Sequence, residues 1–212
     1  MTGSATLAFV DLSGFTALTE VHGDDEAIAT ATALQARIRE VLGPDDIFVK
    51  TIGDGVMLAF PSPARAIERL GEIMASGDVG TLPIRAGAHH GPATRVGDDF
   101  YGHTVNVAAR VAGHAAADEL LVTSELAVAA QRLGLPVTHV GSTSLRNVAE
   151  PLELYRIGVV ERDVSLAVDP VCGMRVPTTG EHAIGLRCSE DDWWFCGMPC
   201  VASFAGRRRA VS

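Results

Sequence analysis

Two aspartates of the sequence, Asp11 and Asp54, stand where carboxylates could bind a metal ion. Asp11 follows the apolar run 7–10, which predicts a buried strand that presents the aspartate at its C-terminal end. Asp54 lies in Gly53-Asp54-Gly55 between two apolar segments, and Asp-Gly in that setting predicts a tight hairpin. If the strands are neighbours, both carboxylates can face one point, as Mg²⁺ ligands do in phosphoryl chemistry. The alternative is two exposed turn aspartates with no shared role.

A second polar pair, Asn106 and Arg110, is spaced by four positions. Residues at this spacing share one face of a helix, with about 6 Å between their bases. Their neighbours in the sequence are apolar, so we expect the arginine to be nearly buried and to need an anionic partner. That partner is either a structural carboxylate or a substrate phosphate.

The elements that must position these residues alternate irregularly between strands and helices. Helical spacing after Asp24-Asp25-Glu26 predicts a helix that ends at Gly43-Pro44, and Ser62-Pro63 predicts the start of another. We further predict helices over 103–116 and 124–134, strands over 119–123, 137–140 and 152–157, and two strands within 83–97 separated by His90-Gly91-Pro92. Hairpins mixed with helices favour an α+β layer over a doubly wound sheet.

The composition indicates a globular protein. Hydrophobic residues make up 47% of the 212 residues, too many for a disordered chain. The net charge of −9 argues against a broad surface for nucleic acid or anionic membranes. No apolar run approaches the ~20 residues of a membrane span, and the N-terminus lacks the basic start of a signal peptide. We therefore expect a cytoplasmic protein that binds neither nucleic acid nor membranes.

The cysteines are distributed unevenly. All four fall within the last 41 residues, at Cys172, Cys188, Cys196 and Cys200. In a reducing compartment, clustered cysteines indicate metal or redox chemistry rather than structural disulfides. This asymmetry predicts a domain over 1–158, a linker over 159–168 and a small cysteine-containing domain over 169–212.

Three segments of the first domain resemble the signature blocks of class III nucleotidyl cyclases. They are residues 9–16 (FVDLSGFT), 50–55 (KTIGDG) and 99–110 (DFYGHTVNVAAR). The resemblance covers residues 5–158, with the blocks in the family's order and near its usual spacing. It implies a cyclase-type mixed or antiparallel sheet with flanking helices around a ferredoxin-like core.

The resemblance also implies roles for the residues that could bind metal and base. Asp11 and Asp54, assisted by the Leu12 carbonyl, match the family's ligands for two Mg²⁺ or Mn²⁺ ions per active site. Lys50 and Asp99 match the pair that recognises adenine, whereas guanylyl members typically carry Glu at the Lys50 position. The implied substrate is ATP.

The remaining implied roles concern the ribose and the phosphates. Asn106 matches the residue that orients the ribose, and Arg110 matches the one that stabilises charge at the α-phosphate. Arg146 stands where family members often carry a triphosphate-binding lysine, with a different donor geometry. In the family, the metal ligands come from one chain of a head-to-tail dimer and the nucleotide-binding residues come from the other. The resemblance therefore implies an adenylate cyclase that works as a homodimer with two shared sites.

The C-terminal segment 169–206 resembles the YHS domain, a small module of heavy-metal handling proteins. The likeness rests on the sequence DPVCGM at 169–174 and on the pattern FCxxxC at 195–200. We expect this domain to sense metal or redox state and to bias the geometry of the dimer. Two other functions stay open: a non-catalytic nucleotide-binding or dimerisation module attached to the metal-handling domain, and metal handling as the primary role.

The metal ligands of this segment are not fixed by the sequence. Cys172, Cys196 and Cys200 could supply three thiolates, with Cys188 or His182 as a fourth ligand. Four ligands would suit Zn²⁺, and three thiolates or fewer would suit Cu⁺. A reduced, metal-free minidomain held by its aromatic residues is the alternative.

Overall fold

The computed structural model describes residues 2–75, 81–159, 165–181, 183–188 and 191–209. The chain folds into two compact units. The first comprises Met1–Asp11, Leu34–Ser76 and Ile84–Glu161, and the second comprises Leu12–Ala33, Gly77–Pro83 and Arg162–Ser212. The division along the sequence at 158 and 169 stays a prediction. In space, the second unit also includes segments from the first half of the chain.

The described residues form twelve strands and six helices. The strands are β1 (Thr2–Leu12), β2 (Ile47–Ile52), β3 (Gly55–Phe60), β4 (Ile84–Val96), β5 (Asp99–Tyr101), β6 (Leu120–Val122), β7 (Val137–Thr143), β8 (Leu152–Ile157), β9 (Leu166–Val168), β10 (Arg175–Pro177), β11 (Ile184–Cys188) and β12 (Asp191–Phe195). The helices are α1 (Phe15–His22), α2 (Asp24–Val41), α3 (Pro63–Met74), α4 (His103–His114), α5 (Ser124–Arg132) and α6 (Met198–Arg209). Within these residues, no helix is long and apolar enough to cross a membrane.

The first unit is built on one mixed sheet. Its strand order is β2-β3-β1-β4-β6-β8-β7, and β5 pairs with β4. The hairpin β2–β3 and the pair β1–β3 are antiparallel, whereas β4 and β6 are parallel. Every residue of β3 is buried, as expected for a strand with neighbours on both edges and both faces covered. This sheet confirms the predicted mixed architecture with flanking helices.

Helix α3 shows how the sequence sets a helix boundary. The hydroxyl oxygen of Ser62 accepts a hydrogen bond from the Arg65 backbone N–H at 3.3 Å, and Pro63 occupies the first helical turn. Proline is tolerated there because its missing N–H would have no partner inside the helix. The predicted start of α3 is therefore confirmed.

Strand β4 differs from its prediction. Two strands broken at His90-Gly91-Pro92 were expected, but the chain runs as one strand of 13 residues. The segment 86–88 pairs with β6, and the segment 94–96 pairs with β5. Pro92 falls between these two paired segments, so its missing N–H interrupts neither ladder.

The second unit contains α1, α6 and two small antiparallel pairs, β9 with β10 and β11 with β12. Its separate segments are joined by backbone hydrogen bonds of 2.8 Å, from Ser13 N–H to Pro83 O and from Arg175 N–H to Thr81 O. The buried Arg175 side chain also donates to Leu82 O at 3.1 Å. Part of the expected linker is ordered instead, because 166–168 form β9; residues 160–164 lie outside the described residues.

The contact between β4 and α4 provides a stability test. A Cβ atom at Gly87 would lie 2.0 Å from the backbone nitrogen of Ala112 in α4. Gly87→Ala should therefore force the helix away from the sheet and lower the free energy of unfolding by about 3 kcal/mol. Urea denaturation followed by circular dichroism measures this loss.

Gly113→Ala is the matched control for this test. Gly113 lies in the same helix, and a Cβ there would meet nothing within 4 Å. This substitution should leave stability unchanged or raise it by up to about 1 kcal/mol, because alanine favours a helix over glycine. Equal midpoints for both variants would contradict the close approach of β4 and α4.

Candidate active site

The hairpin places Asp54 next to Asp11. Strand β1 pairs with β3 so that Val10 lies opposite Val56, and Asp11 is the next residue of β1. Asp54 lies in the turn that joins β2 to β3. A Cβ at Gly55 would lie only 3.1 Å from Asp11 Oδ1, so glycine leaves the room that the Asp11 carboxylate occupies. The structure therefore brings together the two aspartates that the sequence singled out.

The two carboxylates repel each other. The pKa of Asp54 is raised to about 6, first by burial and then by its hydrogen bond with Asp11 and the charge of Asp11. A divalent cation between them would relieve this repulsion, and carboxylate oxygens are the ligands that Mg²⁺ and Mn²⁺ prefer. Leu12, whose carbonyl was the third expected ligand, is the last residue of β1. The donor set thus fits the expected metal ions.

Arg85 is a residue that the sequence analysis missed. It lies near the start of β4, and its Nε and Nη2 atoms donate to Asp11 Oδ2 at 3.0 and 2.5 Å. The guanidinium holds the Asp11 side chain in one orientation and partly offsets the negative charge of the pair. Its signal in the sequence was an arginine inside an otherwise apolar strand, a setting that calls for an acidic partner.

Lys50 and Asp99 also meet. Lys50 Nζ lies 2.6 Å from Asp99 Oδ2, and the other carboxylate oxygen of Asp99 accepts from the Phe100 backbone N–H at 2.8 Å. The Lys50 hydrogen bond holds the pKa of Asp99 below its usual value. Both side chains are partly exposed, 43% for Lys50 and 27% for Asp99, so this donor and acceptor are accessible side by side.

The burial expected for Arg110 is wrong. Helix α4 buries the face that carries Val107, Ala108 and Val111, whereas Asn106 and Arg110 are exposed. Four-residue spacing places these two on the same side, away from the core. Within the described part of the chain, neither side chain has a hydrogen bond or ion pair. Both are therefore available to a ligand or to a second chain.

Arg146 lies apart from the residues that form pairs. It is exposed in the turn between β7 and β8, just before Asn147, whose φ is 63°. No hydrogen bond or ion pair among the described residues links it to the carboxylate pair or to Lys50 and Asp99. Its expected role at the triphosphate stays a prediction.

Three of the four cysteines cluster in the second unit. Cys196 Sγ lies 3.5 Å from Cys172 Sγ and 3.5 Å from Cys200 Sγ, much longer than the ~2.05 Å of a disulfide bond. Burial raises the pKa of the Cys196 thiol to about 12 and also raises the pKa of the other two. Of the two expected fourth ligands, His182 lies outside the described residues, and Cys188 is the last residue of β11, where only its backbone is described.

The Asp11–Asp54 repulsion predicts a stability change. The raised pKa of Asp54 means that the folded protein binds more protons than the unfolded chain between about pH 4 and 6, so metal-free stability falls as pH rises through this window. Asp54→Asn should therefore stabilise the metal-free protein by about 1 kcal/mol at pH 8 and by almost nothing near pH 4. It should also abolish the stabilisation that added Mg²⁺ gives to the parent chain. Thermal unfolding with chelator and with Mg²⁺ measures both effects.

Asp98→Asn is the control for this measurement. The side chain of Asp98 is 98% exposed, so its neutralisation should change stability little at any pH. If Asp54→Asn and Asp98→Asn behave alike with and without Mg²⁺, the carboxylate pair is not a cation site.

Comparison with known proteins places these features in context. The family model of the adenylate and guanylate cyclase catalytic domain matches residues 1–158. A pH-sensitive adenylate cyclase of Mycobacterium tuberculosis is 35% identical over 158 residues, which are 72% of this chain and 40% of that protein. The present chain thus aligns with well under half of that relative's length.

Solved structures show the same fold. Adenylate cyclases from Trypanosoma brucei in their monomeric state match with a TM-score of 0.65 and 25% identity, over 82% of this chain and 94% of theirs. The guanylate cyclase domain of RhGC from Catenaria anguillulae, in complex with GTP, matches with a TM-score of 0.63 and 20% identity, over 73% and 95%.

Proposed function

Because this chain belongs to the family of adenylate and guanylate cyclase catalytic domains, we propose that it converts ATP to 3′,5′-cyclic AMP and pyrophosphate. The observation that carries the choice of ATP is the contact between Lys50 and Asp99. The Lys50 ammonium can donate to adenine N1, and the Asp99 carboxylate can accept from the adenine 6-amino group. Guanine presents the opposite pattern at these edges, a donor at N1 and an acceptor at O6.

The reaction is an in-line attack of the ribose 3′-oxygen on the α-phosphorus, with pyrophosphate as the leaving group. Asp11, Asp54 and the Leu12 carbonyl would hold two Mg²⁺ or Mn²⁺ ions, whose chemistry when bound is to lower the pKa of the 3′-hydroxyl and to neutralise the triphosphate. Arg85 keeps the Asp11 carboxylate oriented toward this position. Its contact is with Oδ2, so a cation would bind Asp11 through Oδ1.

The nucleotide is positioned by the remaining residues. Asn106 orients the ribose, Arg110 stabilises the charge that grows on the α-phosphate, and Arg146 contacts the triphosphate. Asn106 and Arg110 are exposed and have no partner among the described residues of their own chain, which supports their use across a dimer interface. In a homodimer, each site would take its metal ligands from one chain and its nucleotide-binding residues from the other.

One observation favours a second candidate function. Arg85 forms an ion pair with Asp11, which would weaken cation binding by the carboxylate pair and so favours a nucleotide-binding or dimerisation module that does not turn over. ATP binding by calorimetry without any cyclic product would support this alternative.

For both candidate functions, the cysteine cluster supports a regulatory role of the C-terminal part, which would respond to metal or redox state and bias the geometry of the dimer.

The main proposal is tested by incubating the purified chain with ATP or GTP and Mg²⁺ or Mn²⁺. Cyclic AMP should be the main product, and exchange of the pair by Lys50→Glu with Asp99→Cys should lower the ATP-to-GTP ratio of kcat/KM at least about tenfold. Asp98→Asn, one residue from Asp99 and exposed, should leave the ratio unchanged. An unchanged ratio in the double variant would refute base recognition by Lys50 and Asp99.

Shared active sites are tested by mixing two inactive variants. Asp54→Asn removes a metal ligand and Arg110→Ala removes transition-state stabilisation, so each alone should lose activity by about 100-fold or more. In a mixed population, half of the dimers are heterodimers with one intact site out of two, so about a quarter of the parent activity should return. No recovery from chains shown to exchange partners would mean that each site lies within one chain.

A further inference from the structure

A fourth ligand-type side chain joins the three thiols, and it comes from the N-terminal part of the sequence. The Nε2 atom of His22 and the sulfur atoms of Cys172, Cys196 and Cys200 all lie within 4.8 Å of one another. His22 belongs to the same compact unit as the three cysteines. The set is half-buried to buried, with Cys172 and Cys200 fully enclosed.

Four of the six separations between these atoms are close to the edges of a metal-centred tetrahedron, and the other two are at most 4.8 Å. Cys196 Sγ lies 3.5 Å from Cys172 Sγ, 3.5 Å from Cys200 Sγ and 3.4 Å from His22 Nε2, and Cys200 Sγ lies 3.7 Å from His22 Nε2. Bonds of about 2.3 Å to sulfur and about 2.0 Å to nitrogen give tetrahedral edges of about 3.5 to 3.8 Å. A cation can therefore bind without any large movement of the four side chains.

One buried carboxylate fixes the two cysteine loops relative to each other. Asp169 is 1% exposed, and its Oδ1 atom accepts from the N–H groups of Val171 and Cys172 at 2.8 and 3.3 Å. Its Oδ2 atom accepts from the Cys196 N–H at 2.8 Å. In preorganised metal sites, a buried carboxylate often binds the backbone of the segments that carry the ligands. This contact fixes the positions of the ligands before the metal binds.

Local backbone structure also positions the other two ligand-type side chains, Cys200 and His22. Cys200 lies in the first turn of α6, four residues after Cys196, which brings the two thiols together. His22 is the last residue of α1, and the helix ends there because Gly23 adopts a φ of 87° while its N–H bonds to Thr19 O. The loop before α1 packs against the Cys172 loop, since a Cβ at Gly14 would lie 3.6 Å from Cys172 O.

The alternatives fit the arrangement less well. A disulfide needs sulfur atoms at about 2.05 Å, and the central thiol is equally far from both of its neighbours, so no pair is preferred. Cu⁺ is satisfied by two or three thiolates and would leave the imidazole unused. Three sulfurs and one nitrogen are the ligand set of a closed structural zinc site.

We infer that His22, Cys172, Cys196 and Cys200 bind one Zn²⁺ ion in a tetrahedral site. In this inference His22 takes the fourth position, for which the sequence offered Cys188 or His182. This site does not depend on cyclase activity, because all of its ligands and their supports lie in the second unit. A chain that proves inactive with ATP would leave the inference intact.

The experiment measures metal content and coordination in the full chain under reducing conditions, with excess Mg²⁺ to occupy the carboxylate pair. The parent chain should retain one Zn²⁺ after dialysis. Replacement of Zn²⁺ by Co²⁺ should give the visible absorption bands of a tetrahedral ion. It should also give a sulfur-to-cobalt charge-transfer band, which arises from the thiolate ligands and not from the imidazole. His22→Ala should lower the zinc affinity, measured against a chromophoric chelator, at least about tenfold and change the cobalt spectrum.

Two matched controls test whether the loss of zinc affinity is specific to His22 or follows from removing any histidine or cysteine. His114→Ala removes the exposed histidine that ends α4, just as His22 ends α1, and should change neither measurement. Cys188→Ser removes the one cysteine outside the set and should also change nothing. His22→Cys should retain zinc and strengthen the charge-transfer band, which keeps the inference testable if His22→Ala fails to fold.

Several outcomes would overturn the inference. They are a parent chain without bound zinc, disulfides found by mass spectrometry after purification with reductant, a His22→Ala chain that matches the parent in both measurements, and a loss of zinc in Cys188→Ser.

Discussion

The close approach of two partly buried carboxylates, Asp11 and Asp54, is the constraint on which the arrangement of the first unit depends. The pairing of β1 with β3 and the turn of the β2–β3 hairpin bring Asp11 and Asp54 together, and the pKa of Asp54 is raised to about 6, first by burial and then by its contact with Asp11. The fold offsets part of this cost through a backbone hydrogen bond to Asp54 and through Arg85, which binds one oxygen of Asp11. Buried titratable pairs of this kind cost stability, and they are concentrated at functional sites.

The same hairpin serves two purposes along its length. Its turn carries a carboxylate, and β2 carries Lys50, which pairs with Asp99 at the start of β5. If active sites are shared between chains, these two ends of one rigid ribbon belong to different sites. A shift of the hairpin would then change metal binding in one site and base binding in the other together, because two paired strands move as one body.

The predictable parts of this structure are those set by neighbours in the sequence. The Asp-Gly turn fixed the β2–β3 hairpin, and Ser62 with Pro63 fixed the start of α3, because each depends on a few adjacent residues. Helix α1 was missed, since it has only eight residues and its N-cap is Gly14, which is in a left-handed conformation and has no side chain to cap the helix. The exposure of Arg110 was misjudged because apolar neighbours on both sides do not show which face a helix turns to the core. His22 was missed for a stronger reason: its thiol partners lie at least 150 positions away, a distance over which no local pattern acts.

The composition of the second unit has a consequence for how the protein is made and dissected. His22 is synthesised long before Cys172 and Cys200. About 180 further residues must be added to the chain before all three thiols that lie near His22 are present. The strands of the first unit all precede Cys172 in the sequence, so they are synthesised before the segments that carry the thiols. A cut at residue 158 would separate the histidine from the three thiols and leave neither fragment with a complete set. The shortest unbroken fragment that contains His22 and the three thiols therefore runs from α1 to α6.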